Sequence, residues 1–209
     1  SEFVREGIAA CGGPVERCAV VPYGVFRQGP PPVRTKPHIP LRVLTAGAVG
    51  LRKGSPYVFE AARLLGSLAV FRIVGTLSVP ASALRSMPRN VELRGPVPRP
   101  AMDFEYAWAD VFLLPSLCEG SSTATYEALA AGLPVITTAN SGSVVRHGID
   151  GFIVPIRDGN TIAARIKQLI SAPDLLATLA ANARSRAAEY TVERYGERLL
   201  AALRVVGCS

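Results

Sequence analysis

The chain has 209 residues, 49% hydrophobic and 19% charged, with a formal net charge of +7. That length suits one sizeable domain and is short for two, and the balance excludes a disordered chain. The basic excess draws anions of every kind, but the basic residues are dispersed and the few aromatics are not interleaved with them, so a nucleic-acid partner is set aside.

Cys11, Cys18, Cys118 and Cys208 lack the close spacing of a zinc site or a redox pair. Reduced thiols in a cytoplasmic protein are the simplest account. No apolar run approaches the ~20 residues of a membrane-spanning helix, and no leader with a basic start and an apolar core is present. The chain opens Ser1-Glu2-Phe3 without Met, which reads as the remnant of a removed tag. A start partway through a longer protein is therefore expected.

In chain order, residues 1–40 are expected to hold that remnant, an interdomain segment, a short strand at 18–21 and a proline-rich connection at 29–40. The prolines of that connection exclude a helix interior or a central strand. The body, residues 41–209, alternates strands and helices. Strands are expected at 41–46, 70–74, 90–93, 110–114, 134–138 and 151–154. Helices are expected at 55–65, 102–109, 122–131, 161–171, 174–189 and 192–205. Val58, Ala61, Ala62 and Leu65 recur at helical spacing, Ser55 is placed to cap that helix, and Gly132 suits the residue past a helix end. Short strands without polar alternation, each followed by a helix, predict a single α/β domain: a Rossmann-like, doubly wound parallel sheet. Ligands of such sheets bind beyond the carboxyl ends of the strands.

The segment after Leu114 leaves a strand, carries Glu119, passes Gly120, Ser121, Ser122, Thr123 and Ala124, and enters a helix bearing Glu127. Small residues at a helix start leave backbone N–H groups open, and the helix dipole favours an anion such as a diphosphate. The hydroxyls of Ser121, Ser122 and Thr123 add donors. A carboxylate further along the helix is suited to ribose or sugar hydroxyls. Read singly, these residues have plainer accounts: Lys53 as a solvated loop residue, Glu119 as an acid favouring the dipole, and Arg52 as an ordinary surface cation.

Glu119 to Glu127 resembles the E-x7-E motif of glycosyltransferase family 4, the retaining enzymes with two facing Rossmann-like domains (the GT-B fold). Further segments resemble that family in order: 22–25, the Gly-rich turn 46–54 ending Lys53-Gly54, 110–116, 127–134 and 148–155. The resemblance implies that this chain is the C-terminal, nucleotide-sugar-binding half, without the N-terminal domain that docks the acceptor. It implies that Glu127 holds the ribose, Glu119 the donor sugar, and Lys53 the diphosphate leaving group. Gly47 and the amides of Ser121 to Ala124 complete the cradle. No metal is implied, because Lys53 and the helix dipole supply its electrostatic role.

The implied activity is transfer of a hexose from a UDP- or GDP-sugar to an acceptor hydroxyl on a saccharide, lipid or small molecule. The fragment alone is expected to be inactive. Its last helix is expected to be exposed where the missing domain would lie, and its location to be cytoplasmic, extending to the inner membrane face. Two departures stand out: Ala48 occupies a position where many members carry Arg, leaving Arg52 nearby as a substitute, and Ser121 and Ser122 replace a common Gly-Phe-Gly interior. A nucleotide-sugar epimerase of this fold and a non-catalytic nucleotide-binding module remain as rival readings. A dehydrogenase is disfavoured because Gly47-Ala-Val-Gly50 does not give GxGxxG.

Overall fold

The computed structural model describes residues 1–26, 37–79 and 84–205. Its sheet consists of β1 (Leu41–Ala46), β2 (Ala69–Val74), β3 (Val91–Gly95), β4 (Val111–Leu114), β5 (Val135–Thr138) and β6 (Gly151–Val154). Every pairing is parallel, in the order β3-β2-β1-β4-β5-β6. β4 and β5 are apolar or β-branched throughout, and every residue of both is buried. That is the pattern of a sheet covered on both faces.

Alternate residues of each strand feed opposite layers. Val43, Phe71, Val111 and Leu113 face the helices α2 (Ser55–Leu65) and α5 (Gly159–Ser171), with Val58, Leu65, Ile162 and Ile166 against them. Leu44, Phe112 and Leu114 face the other layer, packing with Tyr106 of α3 (Met102–Trp108), Leu129 of α4 (Thr123–Ala130) and Ala183 of α6 (Pro173–Ala188). Side chains such as Phe112, with no exposed surface, are each worth roughly 3–5 kcal/mol against truncation to alanine. The strand order reverses between β1 and β4. Their following helices leave on opposite faces, and a crevice opens past their carboxyl ends.

Several expectations are corrected. Residues 18–21 form no strand. A single turn of 3-10 helix at Val15–Arg17 precedes them, and the chain's one ladder contact there is a bridge from Val25 to Thr191. Val20 borders a cavity that Ile153 of β6 also lines, and the Arg198 guanidinium donates to the Pro22 carbonyl at 3.3 Å. Ser55 does not cap α2: Gly54 is the cap, and the Ser55 hydroxyl accepts the Gly50 amide at 2.9 Å. The opening residues lie at the start of a helix, α1 (Glu2–Ala10), capped by the Ser1 side chain, which the sequence reading did not include. Of the proline-rich connection, residues 29–36 lie outside the described residues, as does Cys208.

The other body elements fall within a few residues of their predicted limits, and Gly132 follows α4 at φ +69°. The final helix, α7 (Val192–Val205), buries none of its residues. Among the described residues no helix is long and apolar enough to cross a membrane, and Cys11, Cys18 and Cys118 are free.

Candidate functional site

The turn after β1 and the loop after β4 meet at the reversal point. Gly54 is left-handed at φ +74°, and a Cβ there would lie 2.0 Å from the Pro115 carbonyl oxygen. The Leu117 amide donates to the Arg52 carbonyl at 2.8 Å, tying the loop to the turn. From the other side, the Thr138 hydroxyl donates to the Ser116 carbonyl at 2.6 Å and the Asn140 amide to the Leu117 carbonyl at 2.9 Å. The Glu119 N–H donates to the Asn140 carbonyl at 2.9 Å. Backbone and side-chain bonds from two sides thus fix where Glu119 stands.

Its carboxylate is crowded by cations. Oε1 of Glu119 lies 2.8 Å from Lys53 Nζ and 2.9 Å from an Arg52 guanidinium nitrogen, and accepts from the Ser116 hydroxyl at 3.3 Å. The side chains of Glu119 and Lys53 are 10% and 14% exposed, so their pair is sheltered, whereas Arg52 is 62% exposed. A surface pair of the Arg52 kind is worth about 1 kcal/mol or less; removing Lys53 from beside a half-desolvated carboxylate costs more.

Beyond Glu119 the chain enters α4 with Ser122 as its N-cap, but no side-chain bond closes that cap. The amides of Thr123 and Ala124 donate to no acceptor among the described residues. They are the open donors that an anion at a helix start needs. The Ser122 amide is not one of them, since it donates to the Ser141 carbonyl at 3.1 Å. The Ser121 hydroxyl is likewise engaged, donating to the Gly142 carbonyl at 3.2 Å.

Glu127, one turn into α4, is held by two groups the sequence did not single out. The Tyr106 hydroxyl donates to Oε2 at 2.8 Å, and Arg99 donates to Oε1 at 2.7 Å. Tyr106 is buried, while the Arg99 side chain is 83% exposed. Burial, then the charge of Glu127 and its hydrogen bond, push the Tyr106 phenol well above its ordinary value. Met102 and Tyr106 are four apart on α3, a spacing that places them on one helix face. A tyrosine on an apolar face calls for a hydroxyl partner, which was the available signal.

These groups enclose a cleft of about 430 Å³ at the carboxyl ends of β1, β2 and β4. Gly47, Ala48, Lys53, Glu119, Ser121, Ser122, Thr123, Ala124 and Glu127 all line it, with Val97, Met102 and Tyr106 on the opposite wall. Arg52 and Gly120 are outside the lining, although the Arg52 head reaches Glu119. A second cavity of about 350 Å³ adjoins it behind Glu127, with Phe26, Arg99 and Asp103 in its wall. Trp108 is structural, stacked under the Arg72 guanidinium at 3.9 Å. His147 is structural too, its Nδ1 3.1 Å from the Ile153 amide. Among the described residues no three His, Cys, Asp or Glu side chains are grouped to hold a metal.

Known proteins resemble the chain in both sequence and shape. Residues 40–172 match the family described as glycosyl transferases group 1. The amylovoran biosynthesis glycosyltransferase AmsK of Erwinia amylovora is 29% identical over 186 residues, which cover 81% of this chain and 46% of that protein. The putative colanic acid biosynthesis glycosyltransferase WcaL of Escherichia coli K12 is 32% identical over 174 residues, covering 74% and 42%. Among solved structures, Anabaena Alr3699/HepE in complex with UDP and glucose superposes with a TM-score of 0.68 at 19% identity, over 79% of this chain and 48% of its own. That likeness shows the GT-B Rossmann-like fold. The chain spans less than half the length of the curated relatives it matches.

Proposed function

Because the chain belongs to the glycosyl transferases of group 1, we propose that it is the nucleotide-sugar-binding half of a retaining, family 4 hexosyltransferase. The observation that carries this reading is the meeting of Lys53, Glu119, Glu127 and the open start of α4 around one cleft at the sheet's reversal point. The relatives' own names concern glycosyl transfer, and a neighbour of this fold holds UDP and glucose.

In this reading the diphosphate of a UDP- or GDP-sugar lies across the amides of Thr123 and Ala124, with Lys53 beside it. Glu127 accepts the ribose hydroxyls. Arg99 gives way to them, because an exposed pair is weak, while the buried Tyr106 bond keeps the carboxylate aimed. Glu119 receives the donor-sugar hydroxyls. When the bond from sugar to diphosphate breaks, its electron pair stays on the phosphate oxygen, next to Lys53 and the positive end of α4. Charge stabilisation at that point speeds the step, and no metal is required for it. An acceptor saccharide, lipid or small molecule enters from a facing domain beyond this chain, in the cytoplasm or at the inner membrane face.

Calorimetric titration of UDP and of GDP into the chain tests this. One of them binds saturably, and Lys53→Ala and Glu127→Ala each weaken it by about tenfold or more, the scale of a charged hydrogen bond. Failure of both nucleotides to bind, or full binding by both variants, overturns the reading.

A further inference from the structure

Two cations, Lys53 and Arg52, converge on the same oxygen of Glu119, at 2.8 and 2.9 Å. A carboxylate has room for several donors across its two oxygens. Here the cations and the Ser116 hydroxyl all crowd Oε1. The trio carries a net positive charge, since two cations face one acid. Lys53 lines the cleft whose far end is the open start of α4. Arg52 is anchored through its carbonyl to the Leu117 amide, which keeps its mostly exposed head within reach of the same place. Ala48, which lines the cleft, brings no charge there.

From this we infer that Glu119 stores both cations when the cleft is empty and hands them to the diphosphate when the donor arrives. Arg52 is thereby a second diphosphate-binding residue, and the inference rests on the reading of the cleft as a nucleotide-sugar site. Two negative phosphates outbid one carboxylate for two cations. Losing them leaves Glu119 with unused acceptor capacity in a sheltered place, and the sugar hydroxyls supply the missing donors. Diphosphate binding therefore frees Oε1 of Glu119 for the sugar hydroxyls, whereas free sugar meets an Oε1 already held by both cations. The coupling is reciprocal, as linkage requires: the sugar, by occupying Glu119, favours release of the cations to the phosphates.

Removing the acid separates this exchange from a merely structural role. Calorimetry with inorganic pyrophosphate, UDP and UDP-glucose is run on the 209-residue chain, on Glu119→Gln and on Arg52→Ala. GDP and GDP-mannose replace the uridine pair if the chain prefers guanosine. Glu119→Gln, which frees both cations, is expected to bind pyrophosphate several-fold more tightly than the parent. It is also expected to lose several-fold in the ratio of nucleotide-sugar to nucleotide affinity. Arg52→Ala weakens pyrophosphate by about tenfold, the scale of one charge-assisted hydrogen bond. Melting curves on each variant confirm folding.

Pyrophosphate binding by Glu119→Gln that is equal to or weaker than the parent's overturns the exchange. Unchanged binding by Arg52→Ala overturns its role. A parent chain that binds no probe overturns the nucleotide-sugar reading and the exchange with it. A misfolded Glu119→Gln leaves Arg52→Ala and Lys53→Ala to decide: both must weaken pyrophosphate, or the inference fails.

Discussion

Glu127 is gripped by two donors of very different worth. Arg99 is a surface cation, whereas the Tyr106 hydroxyl is buried and bonds to the carboxylate at 2.8 Å. The folded chain therefore holds the Tyr106 proton more tightly than the unfolded chain does, for which about pH 10 is the ordinary value. The sign follows from linkage: stability from this group is fully present below that pH and is lost as pH rises through and beyond it. The melting temperature of the parent is expected to fall above about pH 10, and Tyr106→Phe to fall less steeply. Some slope remains in the variant, because burial also raises the Tyr126 phenol. Parallel alkaline limbs for parent and variant would show that Tyr106 is not the group responsible.

At this scale the legible residues were those whose chemistry is odd for their place. An acid within the helix start at Glu127, an acid before small residues at Glu119, and a lysine closing a glycine turn at Lys53 all had reason to be noticed, and all line one cleft. Tyr106 and Arg99 went unmarked. One looks like a core aromatic in sequence, and the other like any surface arginine; only the fold brings them to the same carboxylate.

Between elements, the site depends on how closely the turn after β1 approaches the loop after β4. Gly54 makes that approach possible, through its left-handed backbone and the space a Cβ would take from the Pro115 carbonyl. Gly54→Ala combines the left-handed penalty with a backbone clash and is expected to cost about 2 kcal/mol or more. Urea unfolding would measure the loss. The variant should also bind nucleotide less well, because Lys53 is its neighbour and moves with the turn. A variant as stable as the parent would mean that the two loops are not packed as described.

The body's strands and helices were readable because burial on both sheet faces leaves unbroken apolar runs, and buried helix faces leave a periodic stripe. The misreadings fall where neither constraint acts. Residues 18–21 are apolar, as a strand would be, but form no ladder; a run of four apolar residues does not by itself separate a strand from an extended connection. Helix α1 carries Phe3, Val4 and Ile8 at helical spacing without burying any of them; a stripe of three residues at the very start of the chain is too short to stand out.

Taken whole, the molecule presents its cleft at one end of the sheet, with walls from the loops and helix starts after β1, β2 and β4. The wall facing those strand ends is left to solvent. In the proposed reading, nucleotide recognition is local to this chain and rests on Lys53, the open start of α4 and Glu127. Transfer needs more, because the acceptor hydroxyl must be held within bonding distance of the sugar carbon and water must be kept away.

The isolated chain is thus expected to bind UDP or GDP in calorimetry, more weakly as salt rises, since two of the groups involved are cations near the surface. It is expected to move no sugar from UDP-glucose or GDP-mannose to a saccharide or lipid acceptor. The same donor mixed with the chain fused behind an acceptor domain of a group 1 relative is the comparison that matters, with product followed by mass spectrometry. Appearance of transferred sugar only in the fused protein places donor binding here and acceptor positioning in the facing domain. Sustained transfer by the isolated chain would show that the open side of this cleft already orders an acceptor, and conversion of the donor to an isomer without any acceptor would make it an epimerase.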